Sequence, residues 1–554
     1  MAGCLLFAGK PNIIPVYDSK SEVNRMKLDE LVRRLWQRIG DAEKSALLSA
    51  LIAGYVTHLY AFTNIIPNSD GLSRVYDLQH MTVSGRWFLH YATAPNHFTQ
   101  MPAVIGLLSV LFIAVAAALV VNVLRIKSRT LAAAVGAVMV MFPSMGFTFM
   151  YMFTASAYCL AILMAVLSVW FALQGGLNYV FGVLLVALTM GTYQVYVTVA
   201  IGLSVLVVMR RVLEEENSFT DCLFLGLKLM AYLAMGAVLY YVILQVFLKV
   251  KNVELLSYLG MDAASSGYPF GELPNLIVKT YKQVVKFFFV EGSTNGFATA
   301  RFAALNLVIG ATTAVLTVAY VTKAKLWSQP WRVVTLLGLL VIFPLAINFG
   351  QIISPYSEPT PLMKYSHVLV YVIVLLLLDL QEGVNKLHGV KSLLLTALAL
   401  LLLFCLNTNN VMYTAAAQSH RAAESYFTRL MARVEACEGY EQGMEVLFVG
   451  AIPDEQVRSA VESYSQVEHY SVPVHNLAHL NKHIYYYLND WLSVPVNEPD
   501  EAVVIATADS AEFAEMPLYP QQGSVQVLDG RVVVKLRETY TPKSDFEIAY
   551  ENRK

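Results

Sequence analysis

Charged side chains are scarce in this sequence. Lys, Arg, Asp and Glu make up only 14 % of the 554 residues, whereas hydrophobic residues make up 56 %. A soluble protein usually carries about 25 % charged residues, because they cover its water-facing surface. The composition therefore argues against a disordered chain, a secreted disulfide scaffold or a cytosolic enzyme, and it predicts a protein that crosses a membrane several times.

Clustered cysteines and an excess of positive charge are also lacking. The five cysteines stand far apart in the sequence, and no two form a Cys-x-x-Cys pair of the kind that binds zinc or undergoes redox exchange. The formal net charge of −1 gives no electrostatic reason to expect a nucleic-acid partner. The sequence thus predicts neither a cysteine metal centre nor a nucleic-acid-binding protein.

Long apolar runs dominate the chain between residues 45 and 408. A helix needs about 20 apolar residues to cross the hydrocarbon of a bilayer. About eleven runs meet or approach this length, at residues 45–64, 101–124, 130–147, 154–173, 177–192, 193–210, 223–248, 302–322, 332–350, 364–380 and 392–408. The stretches 130–173 and 177–210 are hard to divide, because each can be a hairpin or one long helix. The sequence predicts an all-α polytopic membrane bundle.

Lys and Arg in the connections predict how the bundle is oriented. With eleven spans, one side receives the basic segments at residues 25–44, 125–129, 210–211, 323–332 and 386–391. Cytoplasmic loops carry an excess of Lys and Arg, so we expect this side, and the N-terminus, in the cytoplasm. The outer side then receives the connections 65–100, 249–301 and 351–363 and the chain after residue 409. The loop 249–301 on the outer side also carries lysines, but it is long enough for the rule on Lys and Arg to weaken.

The chain divides into three predicted regions. Residues 1–44 form a cytoplasmic segment in which residues 27–44 have the pattern of a basic amphipathic helix lying along a membrane surface. Residues 45–408 form the transmembrane domain. Residues 409–554 are charged and mixed in character, and their apolar strand-like runs predict a small α/β domain on the extracytoplasmic side.

Ionisable residues collect in the first outer loop, next to the predicted membrane border. If the loop is helical from Ser69, then Asp70, Arg74 and Asp77 share one face. A carboxylate at this position can take a proton from a sugar hydroxyl. The spacing also fits Asp70 as part of a helix cap paired with Arg74 at the surface, so the loop alone does not decide between the two roles.

Three further segments complete a recognisable order of motifs. Gly85-Arg86-Trp87 precedes the second span, Thr192-Tyr193-Gln194 stands at an outer helix junction, and a run from Met516 to Leu536 closes the C-terminal region. Together with the first-loop carboxylate, they resemble the Gtr-type bacterial glucosyltransferases of the GT-C superfamily. The resemblance extends from about residue 40 to residue 540, and the first forty residues have no counterpart in it.

The resemblance implies an inverting glycosyltransferase. It would move a hexose, expected to be glucose, from undecaprenyl (polyprenyl) phosphate to a cell-surface glycan such as O-antigen, on the outer face of the cytoplasmic (inner) membrane. Chemical reasoning agrees with this donor, because nucleotide sugars are absent outside the cell. The departing phosphate needs cations to hold its charge and the acceptor hydroxyl needs a base. We therefore expect neither a cofactor nor a metal ion.

The resemblance also assigns roles to individual residues. The acidic residue of the family's first outer loop corresponds to Asp70, which we expect to be the base, with Asp77 as the reserve candidate. Arg86 is the first candidate for the donor phosphate, because a guanidinium group binds phosphate through two hydrogen bonds. Its alternative role is to anchor the chain at the interface. We expect the sugar and acceptor cavity to be lined by Arg74, His90, Tyr193 and Gln194.

Three lysines are further candidates for the donor phosphate. Lys279 lies in an amphipathic stretch of the loop 249–301, Lys364 follows a proline-rich turn, and Lys535 ends the closing strand that the family shares. Each has a plainer alternative. Lys279 and Lys364 can mark the membrane boundary, and Lys535 can point to solvent.

Two histidine patterns are candidate sites. His58 stands alone in the first span, and we expect it to be a packing residue with satisfied nitrogens rather than a proton relay. His475, His479 and His483 have helical spacing but lack the glutamate of a zinc-protease motif, so no metal site is predicted.

A lipid-linked sugar flippase or polysaccharide transporter is the alternative function. It also needs many spans and a groove for a lipid phosphate, but it is expected to contain repeat-related halves, and the sequence shows no internal repeat. A non-catalytic envelope-assembly protein is a third possibility. Loss of transfer on changing one loop carboxylate, with expression unchanged, would separate the enzyme from both.

Overall fold

The computed structural model describes residues 28–72, 78–214, 217–255, 270–290, 299–355, 360–381, 387–452, 477 and 481–540. Most of these residues are helical. The helices up to the first connection are α1 (Leu28–Arg38), α2 (Asp41–Thr63), α3 (Ser69–Leu72), α4 (Leu78–Val83) and α5 (Leu89–Ala92). The bundle continues with α6 (Pro102–Val123), α7 (Arg129–Met141), α8 (Pro143–Met150), α9 (Met152–Gln174), α10 (Leu177–Thr192), α11 (Val197–Leu213), α12 (Phe219–Lys251), α13 (Leu273–Phe289), α14 (Ala300–Lys323), α15 (Pro330–Ile347), α16 (Gly350–Ile353), α17 (Leu369–Leu380) and α18 (His388–Glu435).

In the described part of the C-terminal region, three short α-helices, the π-helical turn Tyr487–Trp491 and a sheet follow α18. The helices are α19 (Asn481–Tyr486), α20 (Glu501–Ala508) and α21 (Ala511–Glu515), and the strands are β1 (Val446–Val449), β2 (Val525–Leu528) and β3 (Arg531–Lys535). Strand β3 lies in the middle, parallel to β1 and antiparallel to β2. One face of the sheet packs on the end of α18, and the other packs on α20 and α21. The small α/β domain is confirmed.

Within the described residues, ten helices are long and apolar enough to cross a membrane, and α10, with 16 residues, is a shorter apolar one. The two stretches that the sequence left undivided are both divided in the structure. In residues 130–173, Tyr151 separates α8 from α9, so that α7 with α8 forms one candidate span and α9 forms the next. Gly175 and Gly176, with φ of +74° and +57°, turn the chain between the two stretches, from α9 to α10. Tyr193 is extended and separates α10 from the 3₁₀ turn Gln194–Tyr196 that opens the next span.

Leu72 shows that α10 must also cross the bundle. This residue of the first connection is only 2 % exposed and packs in the same cluster as Tyr426 and Tyr485 of the C-terminal region. The first connection and the C-terminal domain therefore lie at the same end of the bundle. Between the first connection and the C-terminal domain the chain must cross the bundle an even number of times, because it starts and finishes at the same end. Nine of the ten long helices lie in this part of the chain, so one more crossing is needed, and α10 supplies it. Counting α10 gives eleven crossings among the described helices, which agrees with the prediction.

The basic connections meet at the opposite end. Arg129 pairs with Asp41, and the Asp379 carboxylate accepts a hydrogen bond from the backbone N–H of Lys127. The buried Arg332 guanidinium donates to backbone carbonyl groups of the last turn of α11 and of the connection to α12. We call this end the basic end, and the end that carries the first connection and the C-terminal domain the domain end. The chain is a multi-pass membrane protein with a small domain at one end.

Helix α18 joins the membrane bundle to the C-terminal domain without a break. Its 48 residues run through position 409, where the sequence predicted the domain boundary. The second half of the helix contributes Tyr426, Phe427 and Leu430 to the core of the domain. The domain is thus built on a continuous extension of the last span.

His58 is a packing residue, as expected. It is fully buried, with Nδ1 2.7 Å from the Tyr413 hydroxyl and Nε2 2.9 Å from the Val140 carbonyl oxygen. Both ring nitrogens therefore have partners, and these contacts join α2 to α18 and α7.

Candidate active site at the domain end

Asp70 lies on the single-turn helix α3 with its side chain exposed. The turn is fixed from below by the buried Asn68, whose side-chain amide donates to the Met150 carbonyl oxygen at 3.2 Å and accepts from the Gly71 backbone N–H at 3.0 Å. Gly71 lies so close to α9 that an added Cβ would be 3.1 Å from a ring carbon of Phe153. A carboxylate is thereby presented to solvent at the domain end on a tightly held backbone.

The C-terminal domain holds the same turn from the other side. Leu72 is buried in the core of that domain, and α19 contacts α3. The Tyr485 hydroxyl of α19 accepts from the Phe448 backbone N–H and donates to the Val446 carbonyl oxygen, at 3.2 and 3.1 Å. Burial raises the pKa of the Tyr485 phenol, so it stays protonated and keeps both bonds. The position of Asp70 therefore depends on the domain as well as on the membrane bundle.

Two other candidates of the first connection cannot be placed. Arg74 and Asp77 lie outside the described residues, so the predicted shared face with Asp70 is not tested. His90, on α5, is half-buried, with its ring 5.6 Å from that of Tyr91 and 6.5 Å from that of Phe98.

Arg86 lies in a tight turn over residues 82–87, which we call the arginine turn. Its Nε donates to the Ser84 hydroxyl at 2.9 Å, and its backbone N–H donates to the Met81 carbonyl oxygen at 2.8 Å. The guanidinium is half-buried. Trp87 follows it and is almost fully buried, with its ring stacked against Tyr240 and Phe247 of α12. The Gly-Arg-Trp motif thus forms a fixed turn whose tryptophan is packed against α12.

Gln194 is joined to the arginine turn. Its side-chain amide donates to the Ser84 carbonyl oxygen at 2.9 Å and to the Tyr240 hydroxyl at 3.1 Å. Tyr193 stacks on Tyr158, with ring centroids 5.0 Å apart. The sequence placed both residues in the sugar cavity. In the structure, the Gln194 side-chain amide is bonded to the arginine turn through Ser84 and to α12 through Tyr240.

Lys364 and Lys279 lie on segments that meet near a buried amide cluster. Gln283 donates to the Gln351 side chain at 2.7 Å, and Asn348 donates to the Gln283 side chain at 2.9 Å. Gln351 and Lys279 both donate to the Pro355 carbonyl oxygen, at 3.0 and 3.4 Å.

Lys364 itself is 1 % exposed, and its ammonium lies 5.6 Å from the ring centroid of Phe287. It belongs to the 3₁₀ segment Pro361–Val368, which packs against α8 and against the turn Gln194–Tyr196. Gly350, at the start of α16, lies against Val195 of that same turn. The domain end therefore joins α3, the arginine turn, the turn Gln194–Tyr196, the segment Pro361–Val368 and the lysine-bearing α13 into one connected set.

Lys535 lies apart from this set. It is 1 % exposed and donates to the carbonyl oxygens of Phe513 and Ala514 at 3.1 and 3.2 Å, while Glu538 pairs with it at 2.9 Å. These contacts hold α21 on the sheet. The alternative of a lysine that points to solvent is therefore wrong, because the side chain is buried in the domain. A role of Lys535 at the donor phosphate stays a prediction. His483 is buried on α19, and His475 and His479 lie outside the described residues.

Several residues of this end were not singled out from the sequence. Tyr240 and Lys251 contact the arginine turn from α12, and Gln283, Asn348 and Gln351 form the amide cluster. The signals available in the sequence were the tyrosines of α12 and the lysine at its end, in a largely apolar helix. A polar face on α13 was hidden because its Thr280 and Gln283 fall between the lysines.

Comparison with known proteins identifies the family. The family model for glucosyl transferase GtrII matches residues 59–378. This range is more than half of the chain and includes α3, the arginine turn, the turn Gln194–Tyr196 and the segment Pro361–Val368. Comparison with curated proteins and with solved structures gives no match. The chain belongs to the glucosyl transferase GtrII family.

Proposed function

We propose that the chain transfers a hexose, glucose according to its family, from a polyprenyl phosphate to a cell-surface glycan on the outer face of the cytoplasmic membrane. The observation that carries this proposal is the presence of an exposed carboxylate, Asp70, and the half-buried Arg86 at one end of a membrane bundle of the GtrII family. Lys and Arg are concentrated at the other end, which favours the cytoplasm for the basic end and the outside for the domain end.

In the proposed reaction, Asp70 takes the proton of the acceptor hydroxyl. The hydroxyl oxygen attacks the anomeric carbon of the sugar, and the bond between that carbon and the phosphate oxygen breaks. The phosphate departs with the bonding electrons and stays on the polyprenyl chain. A single displacement of this kind inverts the anomeric centre. One base is sufficient, because a phosphate is a good leaving group that needs no proton from the protein.

The negative charge that develops on the phosphate needs cations nearby. Arg86 is the first candidate, since its guanidinium lies on a fixed turn at the domain end and suits two-point binding of a phosphate. Lys279 and Lys364 are the further candidates in the same connected set. Tyr193 and His90 remain candidates for the sugar cavity. This chemistry requires neither a cofactor nor a metal ion.

The test is transfer of labelled sugar by the purified protein. Radiolabelled polyprenyl-phosphate glucose and envelope glycan are incubated with the wild type, with Asp70→Asn and with Asp509→Asn, an exposed aspartate of the C-terminal domain. We expect Asp70→Asn to lower the rate by at least about 100-fold, the usual contribution of a general base, and Asp509→Asn to leave it unchanged. Full transfer by Asp70→Asn would contradict the role of Asp70. Movement of the lipid across vesicles without transfer would favour a flippase.

A further inference from the structure

Helix α12 is exposed along most of its length but changes character where it reaches the domain end. Apolar side chains such as Phe224, Met230 and Val238 face away from the protein, as expected for a helix bordered by lipid. Towards its end, Tyr240, Phe247 and Lys251 all contact the arginine turn or its tryptophan. One face of the last turns of α12 therefore packs against the arginine turn.

Two side chains fix the backbone of this turn. The Tyr240 hydroxyl donates to the Gly85 carbonyl oxygen at 3.1 Å and accepts from the Gln194 amide, which also donates to the Ser84 carbonyl oxygen. The two carbonyl groups that precede Arg86 are thus hydrogen-bonded by α12 and by the turn Gln194–Tyr196. Such bonds are maintained in a low-dielectric setting, where leaving a carbonyl unpaired is costly.

Two cationic side chains donate hydrogen bonds to hydroxyl groups of the same turn. Arg86 donates to the Ser84 hydroxyl at 2.9 Å, and the Lys251 ammonium donates to the Thr82 hydroxyl at 2.9 Å. Thr82 and Ser84 are both buried, so the two cations are attached to a rigid support rather than carried on mobile loops. Both are half-buried themselves, which strengthens their attraction for an anion relative to fully solvated charges.

A hydrogen-bond donor is also left over in this turn. The indole Nε1 of Trp87 is buried and has no hydrogen-bond partner among the described residues. An unpaired buried donor is unfavourable, and an oxygen atom of a bound ligand is the kind of group that satisfies it.

We propose that Lys251 joins Arg86 in binding the phosphate of the lipid-linked sugar donor, and that Gln194 and Tyr240 are positioning residues that hold the turn carrying this site. The inference rests on the proposed function for the identity of the ligand. The site lies at the last turns of α12, at the domain end, on the face of the helix that contacts the arginine turn.

A lysine at the end of a membrane helix can have a simpler role, in which its side chain extends to place the ammonium group among the lipid headgroups. Lys249 provides the matched control. It lies two residues earlier on the same helix and is exposed. A role limited to the membrane border predicts the same effect for both lysines, whereas the proposed site depends on Lys251 alone.

The test is binding of polyprenyl monophosphate to the full-length protein in detergent, measured by displacement of a labelled lipid phosphate. Lys251→Gln keeps a polar group for Thr82 but removes the charge. We expect it to weaken binding about 10-fold or more, the effect of losing one charge-assisted hydrogen bond, while Lys251→Arg retains most of the affinity and Lys249→Gln retains all of it. Equal affinities for Lys251→Gln and the wild type, or equal losses for both Gln variants, would overturn the proposal.

The positioning role has its own readout. Tyr240→Phe keeps the ring stacked on Trp87 but removes the bond to the Gly85 carbonyl oxygen. We expect a higher KM for the donor with an unchanged KM for the acceptor. A change in the acceptor KM alone would contradict this role.

The outcomes separate this inference from the proposed function. Lipid-phosphate binding that depends on Lys251, without sugar transfer by the wild type, would keep the phosphate site and reject the transferase. Transfer that depends on Asp70 while Lys251→Gln keeps its donor KM would keep the transferase and reject the second cation.

Discussion

At the scale of single residues, the arginine turn is sensitive to substitution because its tryptophan is closely packed. The Trp87 ring stacks on Tyr240 and Phe247 of α12, and it lies close against Gly191 of α10. The backbone N–H of Phe88 also donates to the Gly191 carbonyl oxygen at 2.7 Å. The distance between α10 and the turn therefore allows no side chain at position 191.

We predict that Gly191→Ala displaces the arginine turn. The added Cβ would lie 2.6 Å from an indole carbon of Trp87, and neither ring beside it can yield freely. Overpacking of this kind usually costs about 1–3 kcal/mol. We expect a lower midpoint of thermal unfolding in detergent and a weaker affinity for polyprenyl phosphate. Gly226→Ala, where an added Cβ meets no atom within 4 Å, is the control. Unchanged affinity in Gly191→Ala would show that the turn is not held as described.

The contacts of Gln194 show which features of single residues could not be predicted from the sequence. Its motif marked it as functional, but its partners Ser84 and Tyr240 lie 110 and 46 residues away in the chain. Local pattern carries no information about such distant pairs. His58 was predictable as a packing residue, because one ionisable group in an apolar span needs only local partners. Lys251 was overlooked because a lysine at a helix end ordinarily needs no explanation.

At the scale of secondary structure, α3 is the element on which the proposed chemistry depends. It has only four residues, too few to be stable alone. Asn68 ties it to the end of α8, and Leu72 ties it to the C-terminal domain. Asp70 lies between these two attachments. The C-terminal domain therefore acts as part of the support for Asp70, the proposed base.

We predict that Leu72→Ala impairs transfer more than it impairs donor binding. Removing a buried leucine side chain typically costs about 2–5 kcal/mol at the site, and here the loss loosens α3 rather than the arginine turn. We expect a reduced kcat for sugar transfer with unchanged affinity for polyprenyl phosphate. Leu59→Ala, at a lipid-facing position of α2, is the control. A parallel loss of kcat and of lipid-phosphate affinity would indicate general unfolding instead.

The division of the spans shows which elements the sequence determines. Hydrophobic length was sufficient to locate the crossings, and glycine explained the turn between α9 and α10. The end of α18 was not predictable from hydropathy, because the helix continues for more than six turns after the apolar run ends. Helix α13 was predicted, but its buried polar face was not, since that face is defined by contacts with α15 and α16.

At the scale of the whole molecule, the two ends of the bundle differ in charge and in construction. The basic end is closed by ion pairs and by Arg332, and the domain end carries the candidate site and the C-terminal domain. The orientation of the bundle in the membrane decides whether the candidate site is exposed to sugar donors of the cytoplasm or to those outside it. The positive-inside rule predicts that the basic end faces the cytoplasm.

We predict the sidedness of two engineered cysteines. In a variant with Cys4 and Cys437 replaced by serine, Ser328→Cys at the basic end should react with an impermeant maleimide only after cells are opened. Asp509→Cys in the C-terminal domain should react in cells whose outer barrier alone is permeabilised. The reverse labelling pattern would place the domain end in the cytoplasm and would contradict an extracytoplasmic reaction.

The most direct test of the account is to give the purified protein a choice of donors. Envelope glycan is incubated with either polyprenyl-phosphate glucose or a nucleotide glucose, each radiolabelled, using the wild type and Asp70→Asn. The account predicts that label reaches the glycan only from the lipid donor and only with the wild type. Transfer from the nucleotide sugar, or equal transfer by Asp70→Asn, would contradict it.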